Sequence, residues 1–167
     1  MQLRLALTAV FGCMLVAASG QAAVNLRVGD EPPPKLGWHA KLSDFHGKIV
    51  IVSFWESWCP PCRKELGVLA GIQKQATRER VVVFSVNWKE SAQRFQQIRH
   101  SLKDVDLTLI SDENGYIGGL YGVKAIPHMV IIGRDGRIAA IHIGYGDDEL
   151  PVLADEINAL WNKAPDP

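Results

Sequence analysis

Two cysteines separated by two prolines form the segment of this chain that is best suited to chemistry. Cys59 and Cys62 lie in the run Trp58-Cys59-Pro60-Pro61-Cys62. At this spacing the first thiol can attack a disulfide of another molecule, and the second thiol can then attack the mixed disulfide that results. The spacing therefore predicts a pair of cysteines that exchanges disulfides.

The flanking residues predict how the pair is positioned. Ile49 to Trp55 is a continuous apolar run, which is typical of a strand buried on both faces. A helix is predicted from Pro61 to about Ala76, because apolar residues recur there at spacings of three and four. Unpaired N–H groups at a helix N-terminus stabilise an anion, so we expect a lowered thiol pKa and a nucleophilic thiolate at Cys59.

The two prolines limit this stabilisation because neither has a backbone N–H. The nearest amides able to reach the Cys59 sulfur are those of Cys62 and Arg63. Glu56, three residues before Cys59, would raise the pKa of the thiol if its side chain pointed inward. We therefore expect a modestly lowered Cys59 pKa, which suits a reductant or a mild exchanger rather than a strong oxidant.

The length and composition are those of one globular domain, predicted over residues 24–167. The chain has 167 residues, of which 47% are hydrophobic, so it can bury one core. Basic and acidic residues number 18 each. This balance, without a stripe of Lys and Arg, argues against a nucleic-acid partner.

Residues 1–23 have the pattern of a secretory signal peptide. Arg4 is followed by an apolar run and then by small residues suited to a cleavage site. An uncleaved N-terminal anchor is the alternative, and Cys13 has only a weak likeness to a lipoprotein cleavage site. Cleavage would leave Cys59 and Cys62 as the only cysteines of a periplasmic or otherwise extracytoplasmic protein, so the pair suits a reaction better than a structural framework.

The rest of the chain alternates between strand and helix patterns. Val81–Val86 predicts a second buried strand, which forms a right-handed parallel βαβ unit with the first. The other predicted elements are an extended arm at Val24–Lys35, a helix capped by Ser91, a strand at Leu107–Ile110, a short helix at Gly115–Tyr121, a hairpin whose turn is 133–136, and a helix that starts near Asp147 or Asp148. The hairpin makes the predicted sheet mixed.

The segment Val52–Leu66 resembles the active-site segment of the thioredoxin superfamily, and most closely its TlpA/ResA-like branch of exported thiol–disulfide oxidoreductases. Leu42–Lys48 resembles the lead-in of that branch, and Tyr121–Pro127 resembles its approach to a cis-proline. The likeness runs from about Val28 to Trp161. It implies an α/β, thioredoxin-like fold: a mixed central sheet flanked by helices, with an N-terminal extension and an extra helix–strand insertion at Ser91–Ile110.

The resemblance also implies roles for single residues. Cys59 would be the exposed attacking thiolate and Cys62 the buried resolving thiol, joined to each other as the redox disulfide. Glu65 would pass on the proton of the resolving thiol, since Ser53 stands where thioredoxins proper carry a buried acid; a solvated surface glutamate is the alternative. Pro127 would be cis, with a backbone that pairs with the substrate, and an ordinary trans-proline is the alternative.

Residues next to these are expected to contact the substrate: Trp58, Pro60, Pro61 and Ile126. Trp55 is better explained as a core side chain. His128 is expected to pack in a strand rather than to act as a ligand.

The implied function is that of an exported thiol–disulfide oxidoreductase that acts on protein disulfides. It is expected to be a monomer and a reductase, in a role such as cytochrome c maturation. A membrane thiol donor would re-reduce it, and it would need no cofactor beyond its disulfide. The alternative is a copper(I)-binding or metallochaperone domain that uses Cys59, Cys62 and His128. A peroxide-reducing relative is disfavoured, because Glu56 replaces the threonine usual in that group.

Overall fold

A five-stranded mixed sheet forms the centre of the computed structural model, which describes residues 24–146 and 149–163. The predicted signal peptide and the predicted start of the last helix lie outside the described residues. The elements are β1 (Lys35–Leu36), β2 (Ala40–Lys41), a 3-10 helix (Leu42–Phe45), β3 (Ile49–Trp55), α1 (Pro60–Arg80), β4 (Val81–Trp88), α2 (Ala92–Ser101), β5 (Thr108–Asp112), α3 (Tyr116–Leu120), β6 (His128–Ile132), β7 (Ile138–Ile143) and α4 (Glu149–Asn162).

The order of strands in the sheet is β5-β4-β3-β6-β7. β4 pairs in parallel with both β3 and β5, whereas β6 pairs antiparallel with both β3 and β7. The predicted mixed sheet, the βαβ unit and the hairpin are therefore confirmed. β3 is buried at every position, as its unbroken apolar run predicts for a central strand.

α1 is longer than its apolar spacing predicts. It begins at Pro60 rather than Pro61 and reaches Arg80 rather than Ala76, with a break in helical geometry at Thr77. Its apolar spacing ends near the break, which explains why the last turn could not be predicted from periodicity.

The predicted insertion is present as α2 and β5, and β5 extends the sheet beyond β4. Ser91 caps α2, as predicted, by accepting a hydrogen bond from the backbone N–H of Arg94. The N-terminal arm binds to β7, the strand at the opposite edge of the sheet. The N–H of Gly29 donates to the Ile138 carbonyl, and the N–H of Ile138 donates to the Asp30 carbonyl.

The sheet separates two apolar clusters, because alternate residues of a strand point to opposite faces. One cluster includes Ile49, Ile51, Trp55, both cysteines of the pair, Leu69 of α1 and Leu153 of α4. The other includes Val50, Val52, Phe54, Leu36, Ile117 and Tyr121. No helix within the described ranges is long and apolar enough to cross a membrane.

Candidate active site

The two cysteines are joined by a disulfide at the point where β3 passes into α1. The sulfur–sulfur distance is 2.05 Å, and Cys59 is the N-cap residue of the helix. The backbone N–H of Cys62 donates to the Cys59 sulfur over 3.3 Å. The N–H of Arg63 donates instead to the Cys59 carbonyl, at 3.2 Å. Of the two amides expected to reach the sulfur, the Cys62 amide does so.

The burial of the two cysteines differs from the expected contrast between an exposed and a buried thiol. Cys62 is fully buried, as expected, but Cys59 is only 3% exposed. In the disulfide the Cys59 sulfur is bonded to Cys62 and packs in the same cluster as Trp55. The expectation of an exposed Cys59 is therefore wrong for the oxidised protein, in which the Cys59 side chain packs within this apolar cluster.

Glu65 is buried on the inner face of α1. Only 1% of the residue is exposed, and its Oε1 accepts a hydrogen bond of 2.5 Å from the hydroxyl of Ser53, which is itself buried in β3. The alternative of a solvated surface glutamate is therefore wrong. Residues three apart share a helix face, so Glu65 follows Cys62 along the buried side of the helix.

The peptide bond between Ile126 and Pro127 is cis, as the resemblance implied. The Pro127 carbonyl accepts a hydrogen bond of 2.8 Å from the N–H of Gly144. The main-chain groups of Ile126 take no part in the loop and turn hydrogen bonds of the described residues. The Ile126 side chain packs against the cluster that contains the cysteines and also against the cluster on the other face of the sheet.

His128 is a packed strand residue on the other face of the sheet. It pairs with Phe54 across β3 and β6, and the two rings lie 6.1 Å apart. It is 4% exposed, and neither ring nitrogen has a hydrogen-bond partner in the described structure. Burial lowers its pKa. In residues 24–146 and 149–163 no three His, Cys, Asp or Glu side chains form a group that could hold a metal.

The surface beside the disulfide is apolar. Trp58 is 66% exposed and Pro60 is also exposed, whereas Trp55 is buried, as expected for a core residue. Ile143, 65% exposed, pairs with His128 across β6 and β7 and so lies at the same end of the sheet. Sequence reasoning missed Ile143 because β7 is distant in the chain; the strand order would have identified it.

Glu90 is a second residue that sequence reasoning missed. Its carboxylate accepts hydrogen bonds from the backbone N–H of Ser57 (2.7 Å), the Ser57 hydroxyl (2.6 Å) and the Asn87 amide (2.6 Å). Burial acts to raise the pKa of Glu90, but these bonds and the nearby Arg94 outweigh it, so the pKa is lowered. The signal was available: β3 and β4 are parallel neighbours, so the residues that follow them meet at one edge.

Glu56 is buried, which meets the condition under which the sequence predicts that it raises the pKa of the Cys59 thiol. Its carboxyl lies close enough to that of Glu90 for the two charges to interact. Burial raises the pKa of Glu56, the negative charge of Glu90 raises it further, and a hydrogen bond with Trp58 and the charge of Lys89 oppose this. Two carboxyl groups beside the active-site loop therefore differ in how readily they ionise.

The redox pair lies outside a large groove of the described residues. That groove, of about 1650 Å³, is lined by the N-terminal arm, α2 and the region of α3, and neither cysteine contributes to it. The cysteines themselves are buried, but Trp58 and Pro60 beside them are exposed, so a large partner such as another protein can approach the disulfide from that side.

Comparison with known proteins places these features in a family. The model of the AhpC/TSA family matches residues 20–141. The thiol:disulfide interchange protein HelX of Rhodobacter capsulatus is 31% identical over 128 residues, which cover 75% of this chain and 68% of HelX. The thiol-disulfide oxidoreductase ResA of Bacillus subtilis is 28% identical over 136 residues, which cover 81% of this chain and 73% of ResA.

Two further comparisons agree with this placement. The chain matches 64% of the length of the thioredoxin-like protein YneN of Bacillus subtilis, at 33% identity over 65% of its own length. The crystal structure of a thiol:disulfide interchange protein DsbE from Chlorobium tepidum superposes with a TM-score of 0.71 at 29% identity, covering 83% of this chain and 100% of that one. The chain therefore belongs to the AhpC/TSA family, among its thioredoxin-like thiol–disulfide oxidoreductases.

Proposed function

We propose that this protein is an extracytoplasmic thiol–disulfide oxidoreductase that reduces disulfides in protein substrates. The observation that carries the proposal is the Cys59–Cys62 disulfide at the N-terminus of α1, with the Cys62 N–H directed at the Cys59 sulfur. A helix N-terminus stabilises the thiolate that forms when this disulfide is reduced. The names of HelX, ResA and DsbE support the same chemistry.

The reaction begins with the reduced protein. The Cys59 thiolate attacks one sulfur of the substrate disulfide, so that a Cys59–substrate bond forms as the substrate S–S bond breaks, and the first substrate thiolate leaves. Cys62 then loses its proton and attacks the Cys59 sulfur, which releases the second substrate thiolate. Two electrons have passed to the substrate, and the protein holds the Cys59–Cys62 disulfide.

Glu65 is the residue that we assign to the proton of Cys62. Its carboxyl lies on the same buried face of α1 and accepts a hydrogen bond from Ser53, so it is held in one position within the core. A positioned carboxyl can accept a proton as a thiol becomes a nucleophile and return it in the reverse direction. Burial makes such a relay useful, because water has little access to this face.

Substrate recognition is assigned to the surface around the cis-proline. The unused main-chain groups of Ile126 can pair with an extended segment of the substrate, and this mode tolerates different sequences. The exposed side chains of Trp58 and Ile143, together with Pro60 and Pro61, give that segment apolar contacts. These contacts favour a protein substrate over a small disulfide.

The direction of electron flow is proposed from the surroundings of Cys59. One amide reaches its sulfur because the two intervening prolines have no N–H. A thiolate with limited stabilisation leaves the disulfide form relatively stable, which is typical of a reductant. A thiol donor in the membrane would restore the reduced state, and the haem-site cysteines of cytochrome c are a candidate substrate.

Equilibration of residues 24–167 with glutathione buffers tests the proposal. We expect a reduction potential in the reducing part of the thioredoxin range, at about −200 mV or below, and catalysed reduction of insulin. Cys62→Ser should trap a mixed disulfide at Cys59 that mass spectrometry identifies, whereas Cys59→Ser should trap none. A strongly oxidising potential of about −120 mV, or a trapped adduct at Cys62, would contradict the proposal.

A further inference from the structure

Ser57, two residues before Cys59, has all of its polar groups bonded by three separate parts of the chain. Its N–H and hydroxyl donate to the two oxygens of Glu90, in the loop between β4 and α2. Its hydroxyl also accepts a hydrogen bond of 3.0 Å from Nε of Arg94 in α2. Its carbonyl accepts one of 2.9 Å from the guanidinium of Arg63 in α1.

The segment that provides Glu90 and Arg94 is the predicted helix–strand insertion and the loop that leads into it. Asn87, the neighbour of Trp55 across β3 and β4, donates to Glu90 and so fixes the carboxylate to the sheet. Nε of Arg94 lies 4.0 Å from Glu90. The Glu90 carboxylate is therefore held by Asn87 and Arg94 in addition to its hydrogen bonds with Ser57.

We propose that Glu90 and Arg94 are positioning residues for the redox pair, which hold Ser57 and through it fix Trp58 and Cys59 as the surface that a protein substrate meets. This inference rests on the proposed function for its kinetic consequence. Ser57 can fix its neighbours because Ser57, Trp58 and Cys59 are consecutive residues of one turn. The N–H of Cys59 closes this turn by donating to the Glu56 carbonyl over 3.2 Å.

The hydrogen bonds from Ser57 to Glu90 and from Arg94 to Ser57 are called the clamp. Its loss is expected to affect large and small substrates differently. A small disulfide needs access only to the cysteine sulfurs, whereas a protein also contacts the exposed Trp58 ring. Contacts made equally in the bound and transition states change KM rather than kcat. Loss of the clamp should therefore raise KM for a protein substrate and leave exchange with a small dithiol nearly unchanged.

The first test measures amide hydrogen exchange in the oxidised protein by NMR and does not depend on activity. The Ser57 N–H should be protected in the wild type, and Glu90→Gln or Glu90→Ala should accelerate its exchange about tenfold or more. Glu113→Gln, at an exposed position in the loop after β5, is the matched control and should leave it unchanged. Unaltered protection of Ser57 in the Glu90 variants would overturn the clamp.

The second test compares insulin with dithiothreitol as reaction partners. Glu90→Gln and Ser57→Ala should each raise KM for insulin about threefold to tenfold, and the double variant should cost no more than the larger single effect. Ser57→Thr, which keeps the hydroxyl, should restore the wild-type KM. Equal losses with both partners, or additive effects of the two changes, would overturn the inference. If the wild type itself showed no thiol exchange, the proposed function would be refuted. The hydrogen-exchange measurement at Ser57 would still test the clamp, because it does not depend on activity.

Discussion

Three buried polar side chains, Ser53, Glu65 and His128, differ in how their hydrogen bonds are satisfied. Glu65 accepts from Ser53, whereas the ring nitrogens of His128 have no partner among the described residues. Burial of a polar group is costly unless a hydrogen bond replaces the lost water. The Ser53–Glu65 pair is therefore suited to hold a proton in place, and His128 is expected to reduce stability.

Replacement of Glu65 by Gln tests the proton relay. The variant keeps the shape of the side chain but cannot take up a proton, so we expect the rate of disulfide reduction to fall on the order of tenfold or more. One titration should also disappear from the pH–rate profile, measured by stopped flow. Ser53→Ala is the control: it removes the hydrogen bond and keeps the carboxyl, so its profile should retain that titration. An unchanged profile in Glu65→Gln would end the assignment.

His128 predicts how stability depends on pH. Burial lowers its pKa in the folded protein below the ordinary 6.5. Above about pH 6.5 the histidine is neutral in both states and costs no protonation energy, but as the pH falls from 6.5 toward the folded pKa the unfolded state binds the proton more readily and the protein loses stability. We expect the free energy of unfolding in urea to decrease below pH 6.5 with a slope of at most about 1.4 kcal/mol per unit from this residue.

The matching variant is His128→Leu, which removes both unpartnered nitrogens. It should be at least as stable as the wild type at pH 7.5 and should show a smaller loss of stability at pH 5. His100→Gln, at an exposed position in α2, should retain the wild-type pH dependence. Parallel pH curves for the wild type and His128→Leu would contradict this explanation.

At the scale of elements, α1 carries the redox pair at its first turn and also contains glycines that the structure does not require. A methyl group added at Gly67 would meet no neighbouring atom within 4 Å. At Gly118 in α3, by contrast, the added methyl group would collide with the indole of Trp88. Packing therefore requires a glycine at position 118 but not at position 67.

This contrast gives a paired prediction. Gly67→Ala should raise the free energy of unfolding by about 0.5–1 kcal/mol, because alanine favours the helix and restricts the unfolded chain. Gly118→Ala should lower it by about 1–3 kcal/mol through overpacking. Urea unfolding measures both, and activity should be preserved in Gly67→Ala. Destabilisation of the protein by Gly67→Ala would show that the open space at this position is filled.

Across the whole molecule, Arg134 connects the hairpin turn to the C-terminal helix. Its guanidinium donates to the carbonyls of Gly47, Trp161 and Lys163 and lies 4.7 Å from the Trp161 ring. Arg80, at the end of α1, stacks on the same ring at 4.1 Å. Trp161 is thus held by residues from two distant parts of the chain, at the carboxyl end of α4.

Arg134→Ala should therefore release the end of α4 and cost about 1–2 kcal/mol of stability, because several hydrogen bonds and a cation–π contact are lost together. Chemical unfolding gives the free energy, and amide exchange should become faster in the last turn of α4 before it does so elsewhere. Arg99→Ala, at an exposed position in α2, is the control and should stay within about 0.5 kcal/mol of the wild type. Equal effects of the two substitutions would refute the anchoring role.

The sequence by itself determined the redox pair, the order of strands and helices and the mixed sheet. These depend on local patterns: the spacing of Cys59 and Cys62, the apolar run of β3 and the turn at 133–136. Local chemistry also predicted that the amides of Cys62 and Arg63 are the ones near the Cys59 sulfur, and of these the Cys62 amide reaches it. Each of these features is set by residues that are close together in the chain.

Only the tertiary structure decided which distant side chains meet. It buried Cys59 in the disulfide, enclosed Glu65 with Ser53, brought Ile143 to the active-site end and placed Glu90 on Ser57, 33 residues away. Periodicity shows which face of an element is apolar, but it does not show the register of strands or the neighbours that a loop acquires. Those contacts arise when strands pair, and they determine the surface that a substrate meets.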